Sequence, residues 1–121
     1  MNVIDNKKEN IKNASLMISQ GVSKNADFIV LPEMFNCPYS NDKFIEYGEN
    51  EEDSPTLDKI SSLARENNVY ILAGSIPEKK GNKLYNTSYL FNRDGEIIAK
   101  HRKMHLFDID VKDKISFKEY L

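Results

Sequence analysis

The sequence holds one cysteine, Cys37, and two histidines, His101 and His105, among 121 residues. A single thiol excludes an intramolecular disulfide and any multi-cysteine zinc site. The histidines stand four positions apart, a spacing that suits a metal only on a helix, and no zinc-protease glutamate lies between them. No metal is expected. No apolar run approaches ~18 residues, and no charged-then-apolar leader follows Met1, so nothing suggests membrane insertion or export. A cytoplasmic location is the default expectation. Neither sign of charge dominates: 17 basic and 19 acidic residues are mixed along the chain, for a formal net charge of -2. That balance gives no electrostatic case for nucleic acid or an anionic membrane, and it fits a small neutral or acidic metabolite.

The remaining composition, 40% hydrophobic and 30% charged, is that of a globular chain forming one domain or part of one. At this length a domain buries roughly two thirds of its unfolded surface, so size alone permits a core. Asp5 is a candidate cap for a helix with apolar positions Ile11, Ala14, Ile18 and Val22. Phe28 to Leu31 form an uninterrupted apolar run closed by Pro32, as in a strand covered on both faces. Asn36 to Asp53 read as a loop with one short helix around Lys43 to Tyr47. Ser54-Pro55 is a helix start, and Leu57, Ile60, Leu63 and Ala64 form that helix's buried face. Val69 to Ala73 predict a second buried strand ending at Gly74. Helix and strand thus alternate, which favours parallel pairing. Turn signals at Lys80-Gly81-Asn82 and Asn92-Arg93-Asp94-Gly95 then predict that Leu84 to Phe91 form a hairpin with Glu96 to Ala99. The expected class is α/β with a mixed sheet. Met1 to Ile4 have the character of the tail of a strand.

Glu33 follows Pro32 at the carboxyl end of the first strand, where open α/β sheets place their ligands. Partial desolvation there could raise its pKa toward that of a useful general base, whereas the plain alternative is a carboxylate that caps a helix or faces water. Lys103 ends a basic run from Lys100 that suits a solvated strand edge. The run turns into apolar Met104, Leu106 and Phe107, however, where an ammonium needs a partner, and Glu33 could supply one. Phe35 and Tyr39 could line a pocket or simply pack. Cys37 lies four residues after Glu33 with no evident route for a base to be aimed at it, so it reads as a structural thiol or pocket wall.

Several segments resemble the carbon-nitrogen hydrolase (nitrilase) superfamily: Leu31-Pro32-Glu33-Met34-Phe35-Asn36, Gly74-Ser75-Ile76-Pro77, Leu84-Tyr85-Asn86-Thr87, and Arg102 to Asp110. Asn36-Cys37-Pro38-Tyr39 and His105 to Val111 are most similar to the omega-amidase branch. The resemblance implies an αββα sandwich that pairs as a homodimer when full length. It implies hydrolysis of a carbon-nitrogen bond in a small linear amide by a glutamate, a lysine and a cysteine, without cofactor or metal. Glu33 matches the general base, Lys103 the catalytic lysine, and Glu119 the second glutamate that positions substrate and lysine.

Measured against that pattern, residues 1–121 correspond to a partial domain that lacks the first strand and the C-terminal half, with the nucleophile beyond Leu121. The chain by itself is therefore expected to be inactive. The alternatives are a non-catalytic binding or regulatory fragment, or hydrolysis of an N-carbamoyl amide or nitrile.

Overall fold

A computed structural model describes residues 1–103 together with Phe107 and Asp108. The first helix, α1 (Lys7–Ser23), is capped by Asn6, whose side-chain oxygen accepts from the Glu9 amide at 3.1 Å. Asp5, the cap expected from the sequence, instead accepts from the Lys43 ammonium at 2.8 Å and the Tyr47 hydroxyl at 2.6 Å. Asn10, Ala14 and Ile18 are the buried positions of α1. Met1 to Ile4 form no strand; the Ile4 amide and carbonyl are both bound by the Asn10 side chain, at 2.8 and 2.7 Å.

Strand β1 (Phe28–Leu31) leads to two helices, α2 (Asn41–Tyr47) and α3 (Pro55–Asn67), each started by a serine. Ser40 accepts from the Lys43 amide and Ser54 from the Leu57 amide, so each satisfies an otherwise orphaned donor. Helix α3 ends at Asn68, which takes the left-handed conformation asparagine tolerates. Three longer strands follow, β2 (Tyr70–Lys80), β3 (Lys83–Phe91) and β4 (Ile97–Arg102), and then the two-residue β5 (Phe107–Asp108). The sheet order is β1-β2-β3-β4, with β5 also pairing β3. Strands β1 and β2 are parallel and the other pairs antiparallel, which makes the mixed α/β sheet expected from the order of elements.

One face of the sheet carries Ile29, Leu31, Ile71, Ala73, Tyr89 and Phe91, and packs with Ala14 and Ile18 of α1 and Leu57, Ile60, Leu63 and Ala64 of α3. Each such large apolar side chain contributes about 1.5–3 kcal/mol on burial. Along β1 the opposite face is not covered among the described residues: Phe28 is 52% and Val30 53% exposed. Strand β1 is thus buried on one face, not two, because both helices that pack with it lie on the same side.

Strand β2 also departs from expectation, since it does not end at Gly74 but continues through an irregularity between Ala73 and Ile76. Gly74 marks a close approach: a Cβ there would sit 1.8 Å from the Leu31 carbonyl oxygen. A second irregularity lies between β3 and β4, where Phe91 faces Ile97 and Leu90 faces Ala99, leaving Ile98 as the extra residue.

Candidate active site

Where β1 ends, the chain turns sharply through Pro32 to Met34, and Met34 adopts a left-handed φ of 52°. Such a conformation is costly for a residue with a long side chain and needs support. Ser75 of β2 provides it. Its hydroxyl accepts from the Met34 amide at 2.9 Å and its carbonyl from the Phe35 amide at 3.3 Å. Glu33 is thereby held at the rim of the sheet with its side chain 44% exposed.

Lys103 arrives from β4. Its backbone N–H donates to the Asn86 carbonyl at 3.0 Å, and its ammonium donates to Glu33 Oε2 at 3.0 Å. Asn86 Nδ2 donates to the same Glu33 oxygen, also at 3.0 Å. Asn86 therefore binds one partner with its backbone and the other with its side chain, and it is itself buried. The Lys103 ammonium holds the Glu33 carboxyl below its ordinary value, against an upward push from burial and with help from the Asn86 amide. This corrects the sequence expectation of a raised pKa. Charge-assisted hydrogen bonding to the ionised form outweighs desolvation at so open a position. The result is a carboxylate and an ammonium that keep each other charged, one able to take a proton and the other to face a developing oxyanion.

The loop after Glu33 is fastened by a buried carboxylate that the sequence did not single out. Glu49 accepts from Asn36 Nδ2 at 3.1 Å, from the Thr56 amide at 3.1 Å, and from the hydroxyls of Ser54 and Thr56. Lys7 pairs with it at 3.2 Å. Phe35 is fully buried in the main core, so it acts in the structure as a packing residue and not as a pocket wall. Tyr39 is 57% exposed and lies edge-on to the Phe44 ring at 5.1 Å. Cys37 is buried, its thiol donating to the Pro38 carbonyl at 3.2 Å, and burial pushes its pKa up to about 12. A thiol so placed is a poor nucleophile. Glu119 lies outside the described residues.

Asn86 and Glu49 went unassigned in the sequence. The first lies inside a motif that carried the resemblance, Leu84-Tyr85-Asn86-Thr87, and its place among buried strand positions was the available signal. Among the described residues no cluster of three His, Cys, Asp or Glu side chains could hold a metal, and no helix is long and apolar enough to cross a membrane.

The chain is 50% identical over 117 residues to nitrilase homolog 2 of Dictyostelium discoideum, covering 95% of this chain and 35% of that protein. It is 45% identical over 123 residues to the chloroplastic omega-amidase of Arabidopsis thaliana, covering 98% of this chain and 33% of that one. The chain thus spans about a third of the length of these curated relatives. Among solved structures, Saccharomyces cerevisiae Nit3, a member of branch 10 of the nitrilase superfamily, superposes with a TM-score of 0.76 at 39% identity, over 83% of this chain and 40% of that one. The carbon-nitrogen hydrolase family profile matches residues 2–121, and the chain belongs to that family.

Proposed function

We propose that this chain supplies the base and the lysine of an amide hydrolase acting on a small linear amide of omega-amidase type. The observation that carries the reading is the 3.0 Å contact between Lys103 Nζ and Glu33 Oε2 at the mouth of the sheet. In the proposed reaction Glu33 takes the proton of a cysteine thiol, and the thiolate attacks the amide carbonyl. The Lys103 ammonium and backbone amides stabilise the tetrahedral oxyanion, ammonia leaves, and water attacks the thioester. Glu119 is assigned to positioning substrate and lysine, and Tyr39, the exposed aromatic of the loop, to meeting substrate. The buried Phe35 serves that loop by fixing its path.

The attacking thiol is not Cys37 in this reading, since its burial and raised pKa both oppose attack. The nucleophile therefore comes from outside residues 1–121, and the isolated chain is inactive. A full-length homodimer in the cytoplasm is part of the same proposal.

The test is ammonia release from a dicarboxylate monoamide. The 121-residue chain should release none, while a longer protein containing it should be active and lose about 10²–10⁴-fold in rate on Glu33→Gln. Turnover by the isolated chain that survives both Glu33→Ala and Lys103→Ala would refute the assignment.

A further inference from the structure

Glu78 is a carboxylate that the hydrolytic reading does not use, and its side chain is only 2% exposed. Arg102 binds it with a two-point fork, Nε to Oε1 and Nη2 to Oε2, both at 2.7 Å. The Thr87 hydroxyl donates to Oε1 at 2.8 Å, and the Lys100 ammonium reaches Oε2 at 3.3 Å while also pairing with Glu51. The Arg102 guanidinium lies over the Tyr85 ring, 4.8 Å from its centroid. A two-point fork fixes the direction of the guanidinium as well as its distance. A carboxylate this deeply buried is tolerable only while such partners stay in place.

The position of Arg102 gives this cluster its meaning. It is the last residue of β4, a strand exposed along Ile97 to His101 that, among the described residues, pairs only with β3. Little else on that strand is packed. Neighbouring strand residues point to opposite faces, and Arg102 and Lys103 follow that rule at the strand's end: one reaches Glu78 and the next reaches Glu33. We propose that Glu78 is a positioning residue for Lys103, clamping Arg102 and so fixing the backbone from which the ammonium reaches Glu33. The inference rests on Lys103 having the catalytic role proposed above.

The ionisation of Glu33 reports the contact directly, without turnover. Its carboxyl carbon can be followed by NMR against pH in the 121-residue chain and assigned by its loss in Glu33→Gln. Lys103→Met should raise the Glu33 midpoint by roughly one pH unit, the shift expected when one close opposite charge is lost. Glu78→Gln should raise it by about half of that or more. Removing a negative charge acts on Glu33 in the opposite sense through space, so a rise reports loosening of its donors, and its absence in the Lys103→Met background assigns it to Lys103. Combined with Lys103→Met, Glu78→Gln should raise the midpoint no further.

A folded Glu78→Gln variant with an unmoved Glu33 midpoint overturns the proposal, as does additivity in the double variant. Should Glu78→Gln fail to fold, Arg102→Lys, which keeps the charge and loses the fork, decides in its place: a raised midpoint supports the clamp and an unmoved one overturns it. An unmoved midpoint in Lys103→Met overturns the clamp by removing the ion pair it serves. Ammonia release by the longer protein tests the hydrolytic reading separately. A raised Glu33 midpoint in a protein that hydrolyses nothing leaves the clamp standing and removes only its catalytic purpose.

Discussion

Lys103 and Glu33 stand 70 residues apart in the chain and 3.0 Å apart in space, and both are tied to Asn86. Glu33 is delivered by the end of the parallel strand and Lys103 by the end of the last long antiparallel one. A single residue on the strand between holds both. The pair is thus a product of sheet topology, and it depends on Asn86, which bonds both of its members.

Gly74→Ala should be among the most damaging single changes in the chain. A Cβ at that position would overlap the Leu31 carbonyl oxygen at 1.8 Å and crowd Pro32, both backbone, so no side chain can rotate away. The parallel pairing that carries Glu33 would have to open, at a cost of about 3 kcal/mol or more. Urea denaturation of the two chains side by side checks this; an unchanged midpoint would show that β1 can shift without loss.

Glu49→Ala removes the acceptor for Asn36, Ser54, Thr56 and Lys7 at once. Breaking a buried charge network by deleting one member costs about 3–5 kcal/mol. Lys7 is partly exposed, so Lys7→Met should cost much less, on the order of 1 kcal/mol or below. Comparable losses for the two variants in thermal unfolding would mean that the ion pair, and not the set of hydrogen bonds, holds the loop.

Acid should destabilise the fold through its depressed carboxylates, Glu33 and Glu78 among them. Lys103 holds Glu33 below its ordinary value of 4.5. Burial pushes Glu78 upward, but Arg102, Thr87 and Lys100 together bring it below the same reference. A depressed native pKa contributes stability that is fully present above the unfolded value and is lost as pH falls through the native one. The melting temperature should therefore hold from pH 7 down to about 5 and then fall, with a shallower fall in Glu78→Gln. An identical acid slope in parent and variant would remove Glu78 from the explanation.

Cys37 should resist thiol reagents in the native chain. With its pKa pushed up to about 12 by burial, the thiolate at pH 8 amounts to roughly one part in ten thousand, and the sulfur is also shielded. Disulfide-exchange labelling at that pH should go to completion only in denaturant. Rapid labelling of the folded chain would put the thiol back among the candidate nucleophiles.

Much of this arrangement was legible in the residues because it rests on local chemistry. Ser54-Pro55 announced α3, the Asn92-Arg93-Asp94-Gly95 turn announced the β3-β4 hairpin, and Pro32 marked the end of β1 with Glu33 beyond it. Errors arose where a residue's meaning depended on distant chain. Gly74 looked like a strand terminus because its spatial neighbour, the Leu31 carbonyl, is far away in sequence. Phe28-Ile29-Val30-Leu31 looked doubly buried because an apolar run does not say how many faces are covered. The direction of the Glu33 shift was misjudged because desolvation was given more weight than the Lys103 ammonium, which outweighs it, and because Asn86, a neutral side chain whose orientation no pattern reveals, adds to the same effect.

The extra residue Ile98 carries a further consequence. In an unbroken ladder from Phe91 opposite Ile97, Asn86 would come to lie opposite Arg102. Because the ladder skips Ile98, Thr87 lies opposite Arg102, and Asn86 falls beside Lys103. A one-residue offset in a strand inverts which side chains appear on which side. Ile98 therefore sets the phase of the strand, deciding that a primary ammonium and not a guanidinium is presented to the Glu33 carboxylate.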